Sequence, residues 1–268
     1  MPDVYAIITE VDPATVEQVA DAMEVSATDP QQQAMVAEYL SGVAFPPAAR
    51  VLEIGCGTGA ICRMLAARPE VHEVFGVDPS PVLLAKGREL ASGIQNVAFQ
   101  EADGRDLPIP DASFDVAVLH RVLSHVPGPE QVLGQAFRVL RPGGWLAVFD
   151  GDYATITLAT GEPDPLQVCV AAFTSAYITD PWVVRRLPAM VHEAGFAGGR
   201  LRSHGFVQTS EPDYMLSIAE RGADALAAAG RIGQELAAAL KAEAHRRVGA
   251  HSFFGHVAYA SLTARKPA

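Results

Sequence analysis

Three glycines alternate within five residues at Gly55-Cys56-Gly57-Thr58-Gly59, directly behind the apolar run Val51-Leu52-Glu53-Ile54. The run reads as a short buried strand that the glycines stop. Ile61, Leu65 and the alanines Ala60, Ala66 and Ala67 then fall at helical spacing, up to Pro69. A strand that passes through a glycine turn into a helix sets bare backbone beside a helix N-terminus, where a ligand approaches without meeting a Cβ. The sequence therefore predicts a small-molecule site at the first crossover of an α/β sheet.

Composition decides which ligands and partners suit such a site. A chain of 268 residues with 49% hydrophobic and 19% charged residues has room for one large domain with a cap. A formal charge of −11 leaves no basic excess to displace counterions, so nucleic acid is not expected as a partner and a small molecule is. Cys56, Cys62 and Cys169 are odd in number and match no metal-ligand spacing, which points to a reduced, cytoplasmic chain without a metal centre. The N-terminus lacks a basic segment followed by an apolar one, and the most apolar stretch, Val168 to Ile178, is interrupted by Thr174, Ser175 and Tyr177. No membrane span is expected. The oligomeric state stays open, a homodimer included.

Residues 1–49 read as a helical N-terminal cap. Asp12-Pro13 and Asp29-Pro30 each put a capping residue before a proline at the first helical position, with Thr15 to Met23 and Gln31 to Leu40 as the periodic segments. Tyr5 and Gln31-Gln32-Gln33 are the polar or aromatic features of this cap able to touch a ligand, although the glutamines also suit an exposed helix start.

Beyond the glycine loop, Glu73 to Val77 form a second strand ending at Asp78, before Pro79-Ser80-Pro81. A carboxylate about twenty residues past such a loop is where doubly wound folds hold ribose hydroxyls, and capping the next helix is the competing role. Val97 to Gln100 make a third strand, which brings Asp103 and Gly104 to the same edge. There an acidic side chain accepts from an exocyclic amine or caps its own turn. Phe114 to Leu119 is a continuous apolar run, as in a strand covered on both faces, and it delivers His120, with His125 five residues on. Trp145 to Phe149 form a fifth strand, from whose end Asp150, Asp152 and Tyr153 emerge.

Gly55, Gly57 and Ala60 loosely satisfy a dinucleotide fingerprint. Gly59 one residue earlier, Glu53 before the loop and the second acidic strand end at Asp103 favour a mononucleoside, and the pattern points to S-adenosylmethionine. Four blocks then carry a family resemblance: VLEIGCGTG at 51–59, GVDPS at 76–80, ADGRDLPIPDASFDVAV at 102–118 and RVLRPGGWLAV at 138–148. In this order they resemble the type 11 class I methyltransferases, which include the ubiquinone and menaquinone biosynthesis enzymes.

The resemblance implies a Rossmann-like doubly wound sheet of seven strands in the order 3-2-1-4-5-7-6, with the last strand antiparallel, over residues 50–268. It implies S-adenosylmethionine as methyl donor, with S-adenosylhomocysteine as product, and a small, partly apolar acceptor methylated at oxygen, nitrogen or activated carbon. By the same resemblance Gly55, Cys56, Gly57 and Gly59 line the amino-acid part of the donor, with Glu53 supporting the loop or the ammonium through water. Asp78 and Pro79 lie at the ribose, Asp103 and Gly104 at the adenine, and His120 and Val122 near the methionine. A binding protein that keeps the pocket without methyl transfer, for sensing or a pericyclic step, is the rival expectation.

Methyl transfer from a sulfonium is an in-line displacement that needs positioning, dryness and, for a protonated acceptor, a base. Histidine titrates near neutrality, so His120 and then His125 are the candidate catalytic residues, although His125 also suits packing against the following helix. Residues 152–198 read as a lid, with Asp152, Tyr153 and Trp182 as candidate substrate contacts, beside the simpler readings of capping and core packing. Ile232, Leu236 and Leu240 form a stripe expected to pack on the sheet.

Overall fold

The computed structural model describes residues 3–268. Two aspartate-proline pairs set the N-terminal helices as expected. Asp12 caps α1 (Pro13–Thr28), its Oδ1 accepting from the Thr15 N–H at 3.0 Å, and Asp29 caps α2 (Pro30–Leu40), accepting from the N–H groups of Gln31 and Gln32. A residue before proline avoids the helical region, so Asp29, at φ −64° and ψ 125°, also ends α1.

A mixed sheet of seven strands follows: β1 (Ala49–Ile54), β2 (Val71–Asp78), β3 (Val97–Glu101), β4 (Phe114–His120), β5 (Leu140–Thr157), β6 (Ala197–Gln208) and β7 (Gly255–Arg265). Their order is β3-β2-β1-β4-β5-β7-β6, with β7 antiparallel to both neighbours, as the resemblance implied. The chain winds outward from β1 to β3 and then crosses to β4, so β1 and β4 are adjacent and their carboxyl ends face the switch point where open α/β sheets hold ligands.

Both faces of the sheet are covered, which is why its strands read as continuous apolar runs. Leu52, Ala117, Leu119, Leu146 and Val148 point to one face, under α5 (Pro129–Val139) and α7 (Val183–Glu193). Val51, Val116, Val118, Ala147 and Phe149 point to the other, which α3 (Ala60–Ala66), α4 (Pro81–Leu90) and α2 share with α6 (Gln167–Tyr177). Against α6 packs α8 (Asp213–Ala228), and against α8 packs α9 (Gln234–Gly249). The α6–α8 crossing is close because Gly222 has no Cβ: one placed there would lie 2.1 Å from the Cys169 carbonyl oxygen.

Three expectations need correction. β5 does not stop at Phe149: it runs to Thr157, because β7 continues the ladder, pairing Gly151 with Tyr259 and Asp152 with Ala258. The 152–198 segment is consequently not one insertion, since its start is strand, α6 joins the outer helices, and α7 is a layer helix packed on the sheet beside α5. Finally, Leu236 is half exposed, and α9 turns Ala237, Leu240 and Ala244 inward onto α8 rather than onto the sheet.

Candidate active site

The glycine loop is held by backbone. Gly55 and Cys56 both donate to the Val77 carbonyl, at 2.8 and 2.9 Å, and Gly57 donates to Asp78 Oδ2 at 2.8 Å. Gly55 has φ +72°, and a Cβ there would sit 2.7 Å from a Val122 methyl, so glycine is required both by conformation and by the turn that follows β4. Asp78 Oδ1 accepts from the Ser80 N–H at 2.9 Å, and Ser80 itself caps α4. Each Asp78 oxygen thus keeps a free lone pair, and Asp78 lines the adjoining space. Burial lifts its pKa to about 6 despite these donors.

A cavity of two lobes opens over these strand ends. One is walled by Glu53, the loop backbone from Gly55 to Thr58, Gln32, Gln33 and His120; the other by Asp78, Pro79, Asp103, Gly104, Val122 and Val132. Tyr5, Met23, Gly55, Arg121 and His125 border both. Ten of the eleven residues expected at the donor thus line one space. Gly59 does not: at φ +72° it caps α3 and gives room to the Phe99 ring, 2.5 Å from where its Cβ would be. Cys56 contributes backbone, for its thiol turns inward toward Gly76 and Cys62, and burial raises its pKa to about 11.

Glu53 is the electrostatic anomaly of the first lobe. Its side chain is buried, Oε2 has no hydrogen-bond partner, and burial pushes its pKa to about 8. An orphaned carboxylate oxygen at a cavity wall suits a cationic amine. Asp103 is less free: Arg105 grips both of its oxygens, at 2.6 to 3.1 Å, and this hydrogen bonding lowers its pKa.

The N-terminal segment closes the roof. Glu24 of α1 accepts from Thr58 Oγ1 at 2.5 Å and from Arg63 at 2.6 Å, and Met23 lies over Gly57. Asp3 Oδ2 takes His125 Nδ1 at 2.8 Å and both the N–H and the hydroxyl of Thr179 at 3.0 Å, and the Tyr5 ring packs 4.5 Å from the His125 ring. Since a carboxylate only accepts, Nδ1 of His125 is the donor in this contact. Asp150 fixes this loop from below, accepting from the Ser124 N–H and hydroxyl.

His120 is differently placed. It stacks on Phe149 with centroids 4.8 Å apart, its Nδ1 lies 3.2 Å from the Tyr39 hydroxyl, and burial, aided by the Arg121 charge, holds its pKa down to about 3. It is a neutral wall residue at physiological pH.

The expected substrate contacts line neither lobe, although the Tyr153 ring lies behind the wall, its centroid 6.1 Å from that of His125. Asp152 lies in the β5–β7 ladder and ion-pairs with Arg185 at 2.9 Å. Tyr153 and Trp182 line a separate shallow depression beside α6, and the half-exposed Trp182 ring packs beneath the Arg185 guanidinium. Sequence reasoning missed Asp3 and Arg121, and it undervalued Gln32, which is buried in the cavity wall rather than exposed at a helix start. Among the described residues no group of three or more metal-ligating side chains occurs, and no helix is long and apolar enough to cross a membrane.

A family profile described as a methyltransferase domain matches residues 52–148. A demethylmenaquinone methyltransferase of Listeria monocytogenes is 34% identical over 178 residues, covering 58% of this chain and 72% of that one. The chain belongs to the type 11 family of class I S-adenosylmethionine-dependent methyltransferases. Another methyltransferase relative is the 27-O-demethylrifamycin SV methyltransferase of Amycolatopsis mediterranei, 39% identical over 114 residues, 42% of this chain and 41% of that one. Among solved structures the cyclase SpnF shares the fold, with a TM-score of 0.56 and 24% identity over 88% of this chain and 82% of that one. The chain spans 38% to 44% of the length of the first three curated relatives it matches. The family profile covers the glycine loop, Asp78, Asp103 and Arg121, and it leaves out most of the roof and all of α6 to α9.

Proposed function

We propose that the protein moves a methyl group from S-adenosylmethionine to oxygen, nitrogen or an activated carbon of a small, partly apolar acceptor. The observation that carries the reading is the convergence of the glycine-loop backbone, the free lone pairs of Asp78 and the orphaned Glu53 oxygen on one two-lobed cavity. A donor with a vicinal diol and a cationic amine meets both carboxylates. When bound, S-adenosylmethionine supplies a methyl group on a sulfonium leaving group.

The chain's own part is to hold, orient and dry. Asp78 holds the ribose hydroxyls, Glu53 faces the ammonium, and Gly104, whose Cβ would lie 2.8 Å from an Ile54 methyl, keeps the adenine edge close to backbone. Tyr5 and Met23 roof the junction of the lobes and exclude water. His125 is the better general base, in place of His120: Asp3 holds its Nδ1 and so orients the ring, leaving Nε2 as the atom that takes the acceptor's proton. Buried without an acidic partner, His120 is too weak a base and serves to wall the pocket.

Calorimetry with S-adenosylhomocysteine tests the donor assignment, and transfer of a labelled methyl group into a metabolite pool from cell extract tests the chemistry. Failure of the wild-type protein to bind the nucleoside would end the first. Binding with no labelled product would end the second.

A further inference from the structure

Arg121 is a cation at the meeting of the two lobes, and no carboxylate of the described residues is paired with it. Of the described residues' ion pairs none involves it, although Arg63, Arg105, Arg185 and Arg247 each have an acidic partner within 4.0 Å. Its neighbours are hydroxyl-bearing. Ser26 Oγ accepts from Nη1 at 3.0 Å, the Tyr214 ring centroid lies 5.9 Å from the guanidinium carbon, and Tyr5, Tyr153 and Tyr259 complete the surroundings. The Tyr259 hydroxyl is itself buried without a hydrogen-bond partner.

The backbone is committed to this placement. Arg121 adopts φ +58°, a left-handed conformation that ordinary side chains seldom take, and its N–H is tied to the Phe149 carbonyl at 2.7 Å. The turn directs the guanidinium off the end of β4 toward α1 and α8. Strain of this kind at a cavity wall is characteristic of a functional position. A guanidinium in partly dry surroundings gains most from a planar anion that takes two of its donors, and a tyrosine hydroxyl lacking a partner adds a further donor for the same oxygen.

The donor's own anionic end is the other ligand to consider, and the geometry argues against it. Tyr153, Tyr214 and Tyr259 come from β5, α8 and β7, none of which carries the glycine loop, Asp78 or Glu53. The hydroxyl-rich side of Arg121 is thus built from elements other than those assigned to the donor, while Arg121 and Ser26 themselves line the cavity.

Resting on the methyltransferase reading, we propose that Arg121, with Ser26 and Tyr259, selects acceptors that carry a carboxylate. Its charge holds that group and so turns the nucleophilic atom toward the donor.

The test uses the full chain saturated with S-adenosylhomocysteine, and titrates benzoate, phenylacetate and 3-phenylpropanoate, each against its primary amide, by calorimetry. The expected result is an acid bound about tenfold or more tightly than its amide by the wild type. That preference disappears in Arg121→Met, survives in part in Arg121→Lys, and falls about threefold in Tyr259→Phe, which keeps the guanidinium. Circular dichroism checks each variant; should Arg121→Met not fold, the Lys and Phe variants carry the comparison. Acid and amide bound alike by the wild type, or a preference unaffected by these changes, would overturn the proposal. So would a drop of tenfold or more in nucleoside affinity in Arg121→Met, which would assign the guanidinium to the donor's carboxylate. Repeating the titrations without nucleoside separates the two readings, since absent nucleoside binding with an intact acid preference counts against the donor assignment alone.

Discussion

The two sides of this cavity, proposed above for donor and acceptor, are built by different means. Residues 53–104 supply the donor side almost entirely, through a backbone loop pinned to β2 and two strand-end carboxylates. On the side proposed for the acceptor, single side chains converge from far apart in the chain: Tyr5, Ser26, Gln32, Arg121 and His125, the last held by Asp3. A site made of backbone needs particular glycines at fixed spacing and leaves a local motif. One made of convergent side chains needs only that the fold bring them together, and it leaves none.

That contrast is open to attack, beginning with the largest effect. His125→Ala is expected to lower methyl-transfer turnover by about 10²- to 10⁴-fold while nucleoside affinity stays within about threefold. Asp3→Asn should follow it in the same direction, and His120→Ala should cost under about tenfold. Rates of label incorporation beside calorimetric affinities check all three, and a larger loss at His120 than at His125 would return the base to the β4 terminus. Next comes Asp78→Ala, expected to weaken S-adenosylhomocysteine binding by about 100-fold, because it removes a ribose acceptor and releases Gly57 and Ser80. Wild-type affinity in that variant would mean that the donor side does not rest on its carboxylates.

A smaller effect concerns pH. The folded-state pKa of Glu53, about 8, stands above the ordinary value of 4.5, so the unliganded protein holds a proton there that the unfolded chain has lost. Its contribution to stability therefore falls as pH rises from about 4.5 to about 8. His120, with its pKa depressed to about 3, has the opposite sign below pH 6.5. Melting temperatures of wild type and Glu53→Gln should diverge across that window in favour of the variant, and parallel curves would show that Glu53 is not the buried acid described. The smallest effect is expected at Trp182→Ala: half exposed and remote from both lobes, it should leave turnover within about twofold. A tenfold loss would return α7 to the acceptor site.

How far the sequence could be read follows from these same residues. Val51 to Gly59, Asp78 and Asp103 were legible because each ends a strand whose apolar run announces it. Asp12-Pro13 and Asp29-Pro30 announced two helices with equal clarity. Asp150-Gly151-Asp152-Tyr153 misled, since polar residues after an apolar run resemble a loop, and only the antiparallel partner β7 reveals that the strand continues. Arg121 gave no signal of its own: its meaning lies in the absence of a carboxylate around it, and absence has no spacing. Asp3 gave even less, lying 122 residues from the histidine it holds.

That aspartate has one more consequence. The carboxylate that fastens the N-terminal peptide across the cavity is the same one that orients the His125 imidazole. In the proposed mechanism, the cover of the cavity and the orientation of the base therefore rest on one side chain, so that neither can be altered without the other.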